Sequence, residues 1–157
     1  MKPKDDAREL PKDLRGLIIK DPWIGLILDG KKIWEMRSRP AHHRGPVALI
    51  WKGTKTVVGV ADLVDVRPRL ETRAAFAEHE AFHAIPPEEQ KAPFIRGWRT
   101  PWVLANVQRL RTPVPYEHPS GAVTWVKLDG SVIAAIEAQY GMPAETTLKP
   151  TDAGSAS

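Results

Sequence analysis

The sequence predicts an α+β fold, a small mixed β-barrel with a few short flanking helices, on three grounds. Six short segments carry strand signals, either apolar runs closed by turn residues or apolar–polar alternation with a period of two. The helical segments are few and short, too few to cover both faces of a doubly wound parallel sheet. The 157 residues, with no internal repeat and no interior linker, make one domain, drawn here at 15–141 between loose polar tails at 1–14 and 142–157.

Gly16 to Ile19 opens the body as a short apolar strand. Asp21-Pro22 reads as an N-cap followed by proline in the first helical position, and Gly30 stands where a glycine closes a helix. Residues 22–29 are therefore a helix, with Ile24, Ile27 and Leu28 on one face. Ile33 to Ser38 is a strand in which Ile33, Glu35 and Arg37 point one way, Trp34 and Met36 the other. Pro46 to Trp51 and Thr56 to Leu63 are strands joined by the turn Lys52-Gly53-Thr54-Lys55. Glu71 to Ala84 has helical composition and stops ahead of Pro86-Pro87. Trp102 to Leu110 is a strand, Thr112 to Ser120 a proline-studded loop, and Ala122 to Leu128 the last strand. Asp129 to Tyr140, with Val132, Ile133 and Ile136 on one side, is a closing helix that ends at Gly141.

Composition narrows the chemistry. There is no cysteine, which excludes disulfides, a thiolate nucleophile and cysteine-bound zinc. No apolar run approaches the ~20 residues that span a bilayer, and Met1 to Asp13 lacks the apolar centre of a signal peptide. A cytoplasmic protein without membrane contact is the expectation. The net charge of +4 permits phosphate contact without demanding a large nucleic-acid surface. Six tryptophans are the main anomaly, and most are expected in the core.

Glu35 and Arg37, two apart on a strand, share a face, and Lys32 follows the first helix closely enough to join them in a charged cluster at a barrel mouth. Arginine can grip a base edge or a phosphate through two parallel hydrogen bonds. A lysine crowded by arginine and partly buried loses basicity, which suits a nucleophile or a general acid/base, whereas a neighbouring carboxylate acts the other way. The plain alternative is a surface salt bridge on a strand. Trp23, at the start of the helix beside the cluster, offers a flat face for stacking on a base or simply fills the core.

His79-Glu80-Ala81-Phe82-His83 spells H-E-x-x-H, whose i, i+4 histidines suit zinc with Glu80 as base. Pro86 and Glu89 stand where a metzincin needs glycine and histidine, and Glu88 and Glu89 lie too close for a third ligand from a second helix. The expectation is instead a metal-free, exposed polar helix face with Phe76 and Phe82 packing inward. Thr54, Ser120 and His118 fall in turns or loops that favour those residue types. No Gly-rich phosphate loop or dinucleotide fingerprint appears, so no cofactor is expected.

The stretch from Lys20 to Ser38, with its core Gly30-x-Lys32-x-x-Glu35-x-Arg37 after a capped helix, resembles the signature of ASCH domains. Downstream, Val47 to Trp51, the Gly59 to Val66 strand and Trp102 to Val107 follow in the same order. The resemblance covers 16–128. It implies a PUA-like barrel with the first helix across its mouth and a cleft between that helix and the signature strand. It further implies RNA binding or, in a bacterial subgroup, hydrolysis of the acyl-amide of N4-acetylcytidine. Lys32 and Arg37 match that subgroup's Lys and Arg, Glu35 replaces its Thr, and its acidic helix residue aligns on Glu80, with Glu78 as the alternative. The expected activity is thus an amidohydrolase on N4-acylated cytosine nucleosides. Trp23 would stack on the pyrimidine and Arg37 fix its polar edge. Lys32 would attack the acyl carbon or activate water, and Glu80 or Glu35 would relay the proton. A non-catalytic RNA or modified-base reader is the alternative. A ribonuclease is the third, disfavoured by the lack of a histidine pair near the cluster.

Overall fold

The structure, a computed structural model, describes residues 9–140. The expected C-terminal tail, Gly141 and the first eight residues lie outside them. One six-stranded sheet carries the chain: β1 (Arg15–Ile19), β2 (Trp34–Arg37), β3 (Gly45–Trp51), β4 (Thr56–Val66), β5 (Thr100–Pro115) and β6 (Trp125–Lys127). Its spatial order is β2-β5-β4-β3-β1-β6. The β1–β3 pair is parallel and all other pairs are antiparallel, so the sheet is mixed as expected. It curls into a half-barrel whose edge strands, β2 and β6, do not pair with each other. Arg37 bridges the open seam instead, its Nη2 donating to Ile18 O on β1 at 2.8 Å.

Burial on both faces explains the continuous apolar runs of the central strands. In β1, Leu17 and Ile19 enter one core and Ile18 the other; in β3, Val47 and Leu49 part from Ala48 and Ile50 in the same way. The first core packs under α1 (Trp23–Leu28) through Ile24 and Ile27. The second packs under α5 (Gly130–Glu137) through Ile133 and Ile136. Leu10 and Leu14 are buried in that second core, and Leu10 N donates to the Glu137 carboxylate at 2.7 Å. The packed body therefore begins before Arg15, within the segment expected to be a loose tail.

Several local expectations are corrected. Pro22, not Asp21, occupies the N-cap of α1, and the Asp21 carboxylate instead accepts a hydrogen bond from Trp51 Nε1 at 3.0 Å. The 71–84 helix is broken at His79 into α2 (Arg73–Glu78) and α3 (Glu80–His83), with Thr72 capping α2 through Ala75 N. A 3₁₀ turn at Pro87–Glu89 and α4 (Lys91–Arg96) follow, in a stretch for which the sequence carried no assignment. The segment 112–115, expected in a loop, continues β5, because Val114 and Pro115 pair with Val57 and Thr56. Among the described residues no helix is long and apolar enough to cross a membrane.

Candidate functional site

The chain delivers Lys32 to the site through the end of α1. Gly30 takes the left-handed conformation (φ +79°) that a closing glycine provides without strain, and the N–H groups of Lys31 and Lys32 both return to Leu26 O. This reversal turns Lys32 inward, where it is only 2% exposed. Its Nζ donates to His83 O at 2.7 Å and sits 5.1 Å from the centre of the Trp23 ring. Burial holds its pKa at about 8 against an ordinary 10.5; Glu35 acts to raise it and Arg37 to lower it further.

Two residues on, β2 presents Glu35 and Arg37 on one face, as the alternation predicted. Arg37 Nε donates to Glu35 Oε2 at 2.9 Å, and the guanidinium carbon lies 5.6 Å from the Trp102 ring. With Nη2 on Ile18 O, two of the five guanidinium N–H groups are engaged. The Nη1 pair makes neither of these bonds.

Trp23, Lys32, Glu35 and Arg37 line one cavity of about 1100 Å³ at the open seam of the half-barrel. It is roomy for a nucleoside-sized ligand, since small-molecule sites run ~300–1,000 Å³. Glu80 and Glu78 do not line it; the acid that the helical segment contributes is Glu89. The sequence reading also missed its aromatic walls. Trp102 and Trp125 stack at 5.7 Å with planes 17° apart, and Trp98 lines the same space, so four of the six tryptophans meet there. The tryptophan excess was the one signal available. Ser38 and Thr124 bring hydroxyls that were not anticipated. His42 and His43 also line the cavity, against the expectation of no histidine pair near the cluster; His43 Nε2 is hydrogen-bonded to Pro46 O at 3.0 Å.

The H-E-x-x-H residues have other duties. His83 is fully buried. Its Nδ1 accepts from Ile85 N at 3.0 Å, so Nε2 carries the proton and donates to Phe76 O at 2.6 Å. Burial, then the Lys32 and His79 charges, lower its pKa against the raising effect of the Phe76 carbonyl. His79 stacks on Trp34 at 5.1 Å, and its Nδ1 bonds Ala75 O at 2.7 Å. Phe82 is 39% exposed rather than inward, stacked on Trp34, while Phe76 is buried as expected. Among the described residues no group of three or more His, Asp or Glu could hold a metal ion. His118 lines a second, smaller cavity, its ring held between Tyr116 Oη and Ala122 O.

Comparison with known proteins agrees with this architecture. A sequence model described as the ASCH domain matches residues 17–114. The crystal structure of ASCH from Zymomonas mobilis is similar at a TM-score of 0.62 and 15% identity, covering 82% of this chain and 96% of that one. A mutant of the same Zymomonas mobilis protein gives 0.60 and 16%, covering 80% and 97%. At such identity the likeness carries the fold alone. A search of curated proteins returns no match.

Proposed function

The chain belongs to the ASCH domain family, and we propose that its cleft is the active site of an amidohydrolase that removes the acyl group from N4-acylated cytosine nucleosides. The observation that carries this reading is Lys32: a buried amine with a pKa of about 8, set between an aromatic face and a carboxylate–guanidinium pair. With that pKa roughly a tenth of the lysine is neutral near pH 7, close to the balance that general acid/base work favours.

The pyrimidine stacks on Trp23 or on the Trp102–Trp125 wall, and the Nη1 pair of Arg37 donates to its polar edge. Neutral Lys32 takes a proton from water as the oxygen attacks the acyl carbon. The resulting ammonium gives a proton to N4 as the C–N bond breaks, leaving a carboxylic acid and the free cytosine amine. Direct attack by Nζ, followed by hydrolysis of the acyl-lysine, uses the same groups. Glu35 takes the proton-relay and polarising role because it lines the cleft and Glu80 does not.

The test is conversion of N4-acetylcytidine to cytidine by purified protein, followed by chromatography. Lys32→Arg is expected to abolish turnover although charge is kept, because arginine does not deprotonate in a protein. Arg37→Lys should weaken binding through loss of the planar fork and keep measurable turnover. A Lys32→Arg protein at near wild-type rate refutes the role of Lys32. The second reading is a base-binding module without turnover. It is favoured by the hydrogen bond from Nζ to His83 O, which points the amine at backbone, and binding of N4-acetylcytidine without release of cytidine selects it.

A further inference from the structure

Lys20 and Lys52 sit side by side at one end of the cleft. The parallel register pairs Ile19 with Trp51, and Lys52 N donates to Ile19 O at 2.9 Å, so the two lysines leave adjacent strand ends. Neighbouring strands are ~4.8 Å apart, close enough for both ammonium groups to converge on one anion. Both side chains are exposed and both line the cleft. Among the described residues neither forms an ion pair. Asp21, the nearest acid in sequence, is engaged by Trp51 Nε1. The remaining charges of the cleft do not offset them: Glu35 is paired with Arg37, Glu89 is the other carboxylate, and Arg15, Arg39 and Arg96 add further exposed cations.

Position matters as much as charge. Ile24 N donates to Lys20 O at 3.1 Å, which closes the turn that leads from β1 into α1, and both Lys20 and Trp23 line the cleft. A base stacked at Trp23 therefore lies beside the Lys20–Lys52 end, which leaves those lysines free to meet a phosphate carried on its sugar. We propose that Lys20 and Lys52 form a phosphate subsite, and that the ligand of this cleft is a nucleotide, a base-bearing phosphate ester, in place of an uncharged nucleoside. The inference rests on the base-binding cleft proposed above. The phosphate comes from a free mononucleotide or from one residue of a polynucleotide; the chemistry at the lysines is the same.

Binding of cytidine, cytidine 5′-monophosphate and a cytidine trinucleotide with a 5′ hydroxyl tests it, by calorimetry at low salt on the full chain. Two exposed ion pairs at ~0.2–1 kcal/mol each give the monophosphate an advantage of roughly twofold to thirtyfold over cytidine. That ratio should fall toward one in Lys20→Gln/Lys52→Gln and toward one in wild type as salt rises. Inorganic phosphate should compete with the monophosphate and not with cytidine. Tighter binding of the trinucleotide than of the monophosphate assigns the subsite to a polynucleotide phosphate, and the reverse order to a free nucleotide. Equal affinity for cytidine and its monophosphate, or a preference unchanged in the double variant, overturns the subsite and leaves the base cleft standing. Failure of cytidine and both phosphorylated ligands to bind overturns the cleft and the subsite together.

Discussion

Replacing Lys32 with methionine should make the protein more stable at pH 7. Lys32 is 2% exposed, and the fold lowers its pKa from 10.5 to about 8. At about 1.4 kcal/mol per tenfold change in proton affinity, keeping this amine charged costs the native state about 3 kcal/mol. Methionine has nearly the same length and removes that cost, but leaves His83 O without its donor, a loss of roughly 1–2 kcal/mol. The expected net gain is on the order of 1–2 kcal/mol in urea unfolding near pH 7. The sign of the pH dependence is fixed. Between pH 8 and 10.5 the unfolded chain binds more protons at this position than the folded one, so the wild type gains stability as pH rises through that window. The advantage of Lys32→Met should therefore be full below pH 8 and shrink away by about pH 10.5. Comparing variant with wild type at each pH cancels the other titrating groups. A variant that is less stable than wild type at pH 7, or a difference that does not change with pH, would refute a buried cation at this site.

Two further perturbations follow from the same geometry. Glu35→Gln should push the Lys32 pKa below 8, because the carboxylate raises it, whereas Arg37→Gln should push it up; NMR titration of the lysine Cε resonance reads both, and shifts in one common direction contradict the arrangement. His83→Leu should destabilise by roughly 2–6 kcal/mol, since Phe76 O and Ile85 N each lose a buried partner worth ~1–3 kcal/mol. Because the His83 pKa is lowered, the wild type should lose stability as pH falls from about 6.5 through the folded pKa, a slope that His83→Leu lacks.

The parts of the site that could be read from sequence are those that local geometry sets. Gly30 had to end α1, and period-two alternation had to put Glu35 beside Arg37; both held. What could not be read depends on contacts between distant segments. Trp102 and Trp125 lie on β5 and β6, and only the curl of the sheet stacks them. Asp21 looked like a helix cap because its neighbours fit one, but Trp51, brought alongside by the β1–β3 pairing, competes for its carboxylate. The long β5 defeated a loop reading because Val114 lies across from Val57. A strand's edge tolerates proline where the ladder needs no donor, and Pro113 and Pro115 mark such an edge.

The H-E-x-x-H segment shows how a motif can be right in its residues and wrong in its chemistry. Zinc binding needs one unbroken helix turn with two free imidazole nitrogens on a common face. Here the turn is closed, His83 N donating to His79 O at 3.1 Å, but both ring nitrogens of His83 are spent on backbone groups of Phe76 and Ile85. Those two bonds fix the peptide that follows α3. The carbonyl of that same residue receives Lys32 Nζ, and one position earlier Phe82 O receives Ile33 N at 3.0 Å. The buried imidazole thus braces the short helix against the strand that carries the charged cluster. The polar pattern that suggested a metal is the scaffold that holds a lysine out of water, and burial is the leading reason its pKa falls.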